Sequence, residues 1–223
     1  MIDDSKYIFR KATTNDIDFL SKAIVEAKKG GSDMVGMANL FELSEEEFRK
    51  YVSLMLEEEI DGCDFSVSSF IIAEYDERPV ATFAGWIEGA NEDEMPSSVL
   101  KSNLIGYVIP HENIQKAQEK AHLLENLQIE RVEGTYQLEY GYTIPVHRGH
   151  HLIGRLIEKH VERAKASSVP VSKMQVLVYD NNKAAITAYT KAGFKVIQEL
   201  VADNNEVLKY YPHNREIFLE KEL

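Results

Sequence analysis

The 223-residue sequence contains one cysteine, Cys63, and no apolar run that approaches the ~20 residues needed to cross a bilayer. A single cysteine cannot form an internal disulfide, which suits a reducing compartment. The first residues also lack the charged-then-apolar plan of a secretory signal. We therefore expect a cytoplasmic protein that does not bind a membrane, with Cys63 as a buried or incidental thiol rather than a reactive one.

Positive charge is scarce as well. The chain carries 25 Lys and Arg against 37 Asp and Glu, which gives a formal net charge of −12. This excess of acid argues against binding the phosphate backbone of nucleic acid. It is compatible with attracting cationic amines, and equally with simply keeping a globular protein in solution. Neither internal repeats nor low-complexity segments interrupt the sequence.

Hydrophobic periodicity and capping signals predict an alternation of strands and helices. An N-cap at 14–16 starts one helix, and a capping box at Ser44 starts another. The predicted strands cover 7–12, 66–75, 79–87, 136–144, 174–179, 194–201 and 216–223. The predicted helices cover 14–27 and 44–58, with two more that open near 152 and at 182.

Residues 88–134 separate two strands that should be consecutive, and they include a predicted helix over 113–127. A long excursion inside a compact domain is usually functional or mobile. We interpret this insertion as a cap on the substrate side. A peripheral or dimer-forming helix is the alternative, so a homodimer remains open.

The most informative segment is 142–157, YTIPVHRGHHLIGRLI. A strand stops at Pro145, turns through Arg148 and Gly149, and gives way to a helix with apolar residues at one-face spacing. The N-terminus of such a helix leaves backbone N–H groups without partners at the positive end of the helix dipole. The segment therefore predicts a site for a phosphate or pyrophosphate, with Arg148 and Arg155 adding positive charge.

A second segment, 182–194, follows a buried strand and ends at a glycine suited to a helix C-cap. Together the two segments resemble the GNAT superfamily of acyl-CoA-dependent N-acetyltransferases. The pattern N-x-x-A-I-x-x-Y-x-x-x-G-F is matched in full by Asn182, Ala185, Ile186, Tyr189, Gly193 and Phe194.

The upstream family pattern, V-x-P-x-x-R-G-x-G-x-G-x-x-L-L, is matched only in part. The matching positions are Pro145, Arg148, Gly149, Leu152, Leu156 and Ile157. Thr143 replaces the valine, His151 replaces the first helix-opening glycine and Ile153 the second small residue, while Gly154 leaves some room nearby. Glycines at such positions let a backbone approach a diphosphate closely, so these substitutions bear on cofactor affinity.

The resemblance implies an α/β (α+β) class and a GNAT-like three-layer fold. Its central sheet is mixed and mostly antiparallel, has about seven strands flanked by helices, and splays between strands four and five. We expect one such domain over 1–223, with the insertion at about 88–134. The implied function is transfer of an acetyl group from acetyl-CoA to a primary amine of a small molecule or protein. Transfer is expected to be direct, in a ternary complex, because neither motif contains a cysteine. A catalytically inactive GNAT-fold binding or regulatory module is the alternative.

By resemblance, strand four and the motif asparagine hold the pantetheine arm, and the turn with the helix start holds the diphosphate. The implied cofactor-binding residues are Tyr142, Thr143, Arg148, Gly149, His150, His151, Leu152, Ile153, Gly154 and Asn182.

Tyr189 matches the family tyrosine that lies near the sulfur, and a phenol with a pKa of about 10 remains a proton donor at neutral pH. Some family members carry a glutamate five residues before the motif asparagine, but this sequence has Leu177 there. Glu139 is the candidate base instead, ahead of Glu133 and Glu88.

A cluster of three histidines invites a metal interpretation. These histidines, His147, His150 and His151, have no acidic or cysteine partner at ligand spacing beside them. We expect no metal, because donors to phosphate or solvent fit this turn better.

Overall fold

One mixed sheet of seven strands runs through the protein, described here from a computed structural model that covers residues 2–91 and 95–223. Met1 and 92–94, which belong to the predicted domain and insertion, lie outside the described residues. The strands are β1 (Ile8–Lys11), β2 (Phe70–Tyr75), β3 (Arg78–Ile87), β4 (Tyr136–Thr143), β5 (Lys173–Tyr179), β6 (Lys195–Val201) and β7 (Arg215–Glu222). The helices are α1 (Ile17–Lys29), α2 (Gly36–Leu40), α3 (Glu45–Glu57), α4 (Ser97–Val108), α5 (His111–Lys120), α6 (Leu152–Lys165) and α7 (Lys183–Lys191).

The strand order is β1-β2-β3-β4-β5-β7-β6, and all neighbours are antiparallel except the parallel pair β4–β5. The parallel pair is joined by the crossover that contains α6. This mixed, mostly antiparallel sheet flanked by helices confirms the expected fold class. Within the described ranges, no helix has the length and apolar character needed to span a bilayer.

Strands β4 and β5 separate along most of their length. They pair only where Tyr136–Leu138 faces Met174–Val176. Among the described residues, the rest of β4, from Glu139 onward, therefore has no strand partner on that side. A register shift opposite Phe83 places an extra residue in β4, and Tyr140 takes the left-handed conformation there, with φ of 60°. Such a bulge bends its strand and disrupts the ladder, which accounts for the predicted splay.

The two faces of the sheet carry separate apolar layers. On one face, α1, α3 and α4 bury residues such as Leu20, Phe48 and Leu104. On the other face, Leu156 of α6 and Tyr189 of α7 belong to the second cluster. The apolar residues of α6 lie on one face of the helix, and that face packs on the sheet. The start of α6 is thereby held where β4 and β5 separate.

Several local signals in the sequence are realised. The Ser44 hydroxyl accepts a hydrogen bond from the Glu47 N–H at 3.2 Å, and the Glu47 carboxylate accepts one from the Ser44 N–H at 2.8 Å. This is the predicted capping box at the start of α3. Gly30 ends α1 in a left-handed conformation, as a glycine C-cap does.

Other elements differ from the prediction. The strand expected from residue 66 begins only at Phe70, because Val67–Ser69 forms a 3-10 turn. The helix expected over 113–127 divides into α5 and a 3-10 segment, Ala121–Leu127. Helices α2 and α4 were not predicted. The N-cap residue of α4 is Pro96, so none of the usual capping side chains marks its start.

Candidate active site

A cleft of about 1310 Å³ opens at the edge of the sheet where β4 and β5 separate. It is bounded by the end of α1, the end of β4, the turn before α6, and the start and one face of α7. The two motif segments are far apart in sequence, and the fold brings both to this cleft. This is the region where the sequence places the cofactor.

The turn and helix start over 149–154 present backbone donors that the protein does not use. The first hydrogen bond of α6 runs from the Arg155 N–H to the His151 carbonyl at 3.1 Å. The backbone N–H groups of 149–154 donate to no residue in the described chain. Consecutive free amides at the positive end of a helix favour an anion, so this turn has the chemistry of a diphosphate site.

Two residues of this turn hold left-handed backbone conformations. Gly149 has φ of 89°, which glycine adopts without strain, and His151 has φ of 56° as the N-cap of α6. A side chain added at Gly149 or Gly154 would meet no described residue within 4 Å, so the turn stands open toward the cleft. Because Arg148 donates from Nε to the Thr143 carbonyl at 3.3 Å, its guanidinium is tethered beside the end of β4.

Nine of the ten predicted cofactor-binding residues line the cleft. They are Tyr142, Thr143, Arg148, Gly149, His151, Leu152, Ile153, Gly154 and Asn182. Asn182 is also the N-cap of α7, where its Oδ1 accepts from the Ala185 N–H at 3.1 Å. Its side-chain NH₂ has no partner among the described residues and is available to a ligand. The capping and binding roles are therefore compatible.

The tenth residue, His150, lies elsewhere. Its Nδ1 is 2.5 Å from Oδ1 of Asp4, and its ring packs near Tyr7. His147 instead lines the cleft, with Nδ1 hydrogen-bonded to the Tyr7 hydroxyl at 2.8 Å. Burial, with a contribution from His150, lowers the pKa of His147 below its ordinary value. No cluster of His, Cys, Asp or Glu suited to a metal occurs among 2–91 and 95–223.

Tyr189 is buried at the base of α7, with 5% of its surface exposed. Its ring stacks on Phe83 with centroids 6.0 Å apart and also contacts Phe194. Burial raises the pKa of its phenol above the ordinary value, which keeps it protonated. Its hydroxyl bonds to no described residue. Tyr189 is not one of the residues that line the cleft, but Ala185 and Ala188 on the same helix are.

Glu139 is held between two cations at the point where β4 leaves β5. It forms an ion pair with Arg131, and its Oε2 is 3.6 Å from Nζ of Lys28. Burial alone would raise the pKa of this carboxyl, but Lys28 and Arg131 outweigh burial and hold the pKa below its ordinary value. A carboxylate with a lowered pKa is a weak proton acceptor.

The weaker candidate bases lie at a different place. Glu88 and Glu133 line a separate pocket of about 440 Å³ with Gly89 and Gly134. Glu88 is fully engaged, because the Ser97 N–H donates to it at 2.7 Å and the Ser97 hydroxyl at 2.6 Å. Neither glutamate lines the main cleft.

The sequence patterns did not predict the side of the cleft that lies opposite α6. This wall comes from the last turn of α1 and the residues after it, including Glu26, Lys29, Gly30 and Ser32. Their position depends on how α1 packs on β4, which no local pattern in the sequence encodes. The two glycines at 30–31 are a signal for a turn, but not for its location at the cleft.

The sequence model of the acetyltransferase (GNAT) family matches residues 37–194, which is more than half of the chain. The chain belongs to the GNAT acetyltransferase family. The predicted GNAT resemblance and the enzyme class of acyltransferase are thereby confirmed. Among curated proteins, no sequence matches at a significant level.

Solved structures of GNAT proteins share the fold at low identity. An N-acetyltransferase from Staphylococcus aureus Mu50 is 15% identical with a TM-score of 0.66, covering 96% of this chain and 99% of that one. The putative acetyltransferase yncA of Salmonella typhimurium, solved with acetyl-CoA, is 11% identical with a TM-score of 0.54, covering 98% and 94%. The aminoglycoside acetyltransferase AAC(6')-Ib, solved with coenzyme A and kanamycin, is 14% identical with a TM-score of 0.52, covering 97% and 94%.

Proposed function

We propose that this GNAT protein is a cytoplasmic N-acetyltransferase that moves an acetyl group from acetyl-CoA to a primary amine of a small molecule or protein. The observation that carries the proposal is the set of free backbone N–H groups at 149–154, in the same cleft as the separated end of β4. The anion site suits the diphosphate of a nucleotide thioester. The strand edge beside it, which β5 does not pair, suits the arm that carries the thioester.

The residues of the cleft fit acetyl-CoA in charge and shape. The amides of 149–154 hold the diphosphate, and the tethered Arg148 adds positive charge. Tyr142 and Thr143 lie at the end of β4 that β5 does not pair, and they offer main-chain groups to the pantetheine arm, as Asn182 does with its side-chain amide. His150 is left out of this proposal, because its imidazole is engaged by Asp4.

The same geometry supports direct transfer in a ternary complex. A backbone N–H of β4 beyond Leu138, on the side that β5 does not pair, polarises the thioester carbonyl. Tyr189 is the proton donor to the departing thiolate: its phenol stays protonated at neutral pH and its hydroxyl bonds to no described residue. Cys63 is completely buried and does not line the cleft, which argues against an acyl-enzyme through this thiol.

Glu139 has a different role in this proposal from the one that the sequence suggests. Its two cationic neighbours stabilise the carboxylate and make it a poor base. We assign it a structural role, in which its ion pairs hold Lys28 of α1 and Arg131 of the insertion at the point where β4 leaves β5.

Calorimetry with acetyl-CoA, followed by thiol release against a panel of amines, tests the proposal. We expect saturable binding of acetyl-CoA and amine-dependent release of CoA thiol. No binding at millimolar acetyl-CoA would overturn the proposal. An Arg148→Ala variant should weaken binding, whereas Arg78→Ala, an exposed arginine of β3 outside the cleft, should not.

One observation favours the inactive-module alternative. His151 adopts a left-handed conformation at the helix N-cap, where the family pattern has glycine, and it is one of the residues that line the cleft. A glycine at this position would leave more room for a diphosphate to approach the amides. Binding of acetyl-CoA without turnover across the amine panel would support a binding or regulatory module instead.

A further inference from the structure

The gap between β4 and β5 divides the sheet into two parts. Strands β1 to β4 form one part, and β5, β7 and β6 form the other. The two parts pair only where Tyr136–Leu138 faces Met174–Val176. Helix α1 packs on β4 and therefore belongs to the first part. Beyond the paired segment, strand pairing among the described residues does not fix the distance between the two parts, so other contacts must set the width of the gap at the cleft.

The end of α1 is bonded to the other part of the sheet. Gly30, the C-cap of α1, lines the cleft, and its carbonyl accepts two side-chain hydrogen bonds. Asn181, which follows β5, donates from Nδ2 at 3.2 Å, and His213, which precedes β7, donates from Nε2 at 3.1 Å. A carbonyl can only accept, so Nε2 of His213 carries the hydrogen. The last carbonyls of a helix have no partner within it, and here side chains of the second part satisfy a helix of the first.

Close packing accompanies these two hydrogen bonds. A Cβ added at Gly30 would overlap the Tyr179 ring and come within 3.0 Å of Nε2 of His213, so only glycine lets the backbone rest there. The Tyr179 hydroxyl lies 3.5 Å from the Lys28 carbonyl, and the rings of Tyr179 and His213 are in contact, with centroids 4.8 Å apart. We call Tyr179, Asn181 and His213 the clasp.

Other contacts also join the two parts of the sheet. On the opposite face, Tyr189 of α7 stacks on Phe83 of β3. Farther along the α1 face, Asn39 of α2 donates to the Tyr210 carbonyl at 3.3 Å, but neither of these two residues lines the cleft. The clasp differs from both contacts, because it joins the two parts through a carbonyl at the cleft itself.

The clasp adjoins the residues proposed to hold the pantetheine arm. Asn181 directly precedes Asn182, and both line the cleft. Across the gap, Tyr142 and Thr143 of β4 line the same cleft. The arm would lie between these two sides, and the clasp connects them through α1. The turn over 149–154 is independent of the clasp, because it precedes α6, which packs on β2, β3 and β4.

We propose that Tyr179, Asn181 and His213 are positioning residues, which hold the end of α1 and so set the width of the gap in which the thioester lies. This inference rests on the proposed function and adds to it the residues that place the pantetheine arm. The clasp does not touch the reacting atoms and acts through Gly30 and Asn182. Loss of one donor lets the gap relax, which leaves the diphosphate bound at 149–154 and the acetyl group misplaced.

The test compares His213→Ala, which removes one donor to Gly30, with Asn214→Ala. Asn214 belongs to the same segment and donates to Asn205 at 2.8 Å, so its loss removes a side-chain hydrogen bond that does not reach α1. We expect His213→Ala to lower kcat by about tenfold or more, because a misplacement of about 1 Å can cost about 100-fold. His213→Gln keeps an N–H donor and should restore most of this loss. Asn214→Ala should behave like the unchanged protein.

Two further measurements separate positioning from general stability. ADP carries a diphosphate without the pantetheine arm, so its Kd should be the same in His213→Ala as in the unchanged protein. A merely destabilising substitution would instead weaken ADP binding and turnover together. Amide hydrogen exchange over 28–32 should become faster in His213→Ala and stay unaltered in Asn214→Ala, which reports on the clasp without any turnover.

Three results would overturn this inference: equal turnover of His213→Ala and Asn214→Ala, a loss that His213→Gln does not restore, and an equal loss of ADP affinity and turnover. The unchanged protein tests the proposed function separately. If it binds neither acetyl-CoA nor ADP, the proposed function is refuted, whereas normal binding with unaltered His213→Ala turnover refutes this inference alone. If His213→Ala does not fold, Asn181→Ala removes the other donor to Gly30 and is compared in the same way. Unaltered hydrogen exchange over 28–32 in that variant would also refute the clasp.

Discussion

The hydroxyl of Tyr140 donates a hydrogen bond of 2.6 Å to Oδ2 of Asp64, a carboxylate with no solvent exposure. Lys101 of α4 supplies the counterion at 2.5 Å, while Oδ1 of Asp64 has no hydrogen-bond partner in the described chain. Tyr140 is the residue whose left-handed backbone forms the bulge of β4. The insertion is thus tied, through Lys101 and Asp64, to the bulge at which the cleft begins.

Tyr140→Phe removes one of the two donors to a buried carboxylate. We expect the free energy of unfolding to fall by about 1–3 kcal/mol, the usual cost of leaving a buried polar group short of a partner. Urea unfolding measures the change. Tyr107→Phe, at a tyrosine of α4 that is 77% exposed, is the matched control and should leave stability unaltered. Equal stability of the two variants would show that Asp64 does not depend on this bond.

Gly154→Ala is expected to change the affinity for acetyl-CoA and the stability of the protein in opposite directions. The glycine lies in the first turn of α6 in an open position, so alanine should raise the free energy of unfolding by up to about 1 kcal/mol. The added methyl stands in the cleft beside the free amides, and losing one hydrogen bond to a charged phosphate costs roughly 1.5–3 kcal/mol. The Kd for acetyl-CoA should therefore rise about tenfold or more, as calorimetry would show.

Gly106→Ala is the control for that variant. Gly106 lies in α4, also with nothing within 4 Å of an added side chain, and outside the cleft. The Gly106→Ala variant should gain a similar amount of stability and bind acetyl-CoA with unchanged affinity. An unchanged Kd in Gly154→Ala would mean that the diphosphate does not approach this turn.

His151→Gly tests the departure from the family pattern. Glycine holds φ of 56° without strain, whereas a residue with a side chain there costs roughly 1–2 kcal/mol. We expect His151→Gly to keep the stability of the protein and to bind acetyl-CoA at least as tightly. His151→Ala removes the imidazole but keeps the backbone strain, so comparing the two separates the effects. Weaker binding by both would instead identify the imidazole as a phosphate donor.

Elements that are specified by a short sequence pattern were predicted correctly. The capping box at Ser44 and the motif from Asn182 to Phe194 each lie within one short segment, and each forms as expected. Helix α4 escaped prediction because it begins after Pro96, and its first N–H, that of Ser97, is satisfied by Glu88, a residue outside the helix. That contact exists only once the insertion has folded.

The residues of the candidate site likewise divide into those that the sequence predicts and those that it does not. The turn over 149–154, the proposed diphosphate site, is contiguous in sequence, so its residues could be named in advance. The cleft wall from Glu26 to Ser32 could not, because its place depends on how α1 packs on β4. For the same reason Glu139 looked like a free base in sequence, whereas its counterion Arg131 comes from the end of the insertion.

Tyr189→Phe tests the proposed acid. The ring should keep its stacking on Phe83, so acetyl-CoA affinity and stability should be nearly unchanged. Without the hydroxyl, turnover should fall by about 100-fold, the lower range for losing a general acid. Steady-state kinetics and calorimetry measure the two quantities. Turnover equal to that of Tyr107→Phe would remove Tyr189 from the acid role.

His160 makes folding sensitive to acid. It is completely buried, donates from Nε2 to the Phe83 carbonyl at 3.0 Å, and accepts from the Tyr136 hydroxyl at Nδ1, 2.8 Å away. Burial lowers the pKa of this imidazole to about 3, so it stays neutral in the folded protein while the unfolded chain takes up a proton near pH 6.5. Stability is therefore unaffected above that pH and is lost as pH falls from about 6.5 toward 3, by roughly 1.4 kcal/mol per pH unit.

The measurement is the free energy of unfolding against pH for the unchanged protein and for His160→Gln. The variant should be less stable at pH 8, because its glutamine cannot reproduce both hydrogen bonds, but its decline between pH 6 and 4 should be shallower by about 1.4 kcal/mol per unit. His122→Gln, at an exposed histidine after α5, should keep the steep decline. Parallel curves for the His160 and His122 variants would show that the buried imidazole does not control the acid response, whatever the carboxylates contribute to all three.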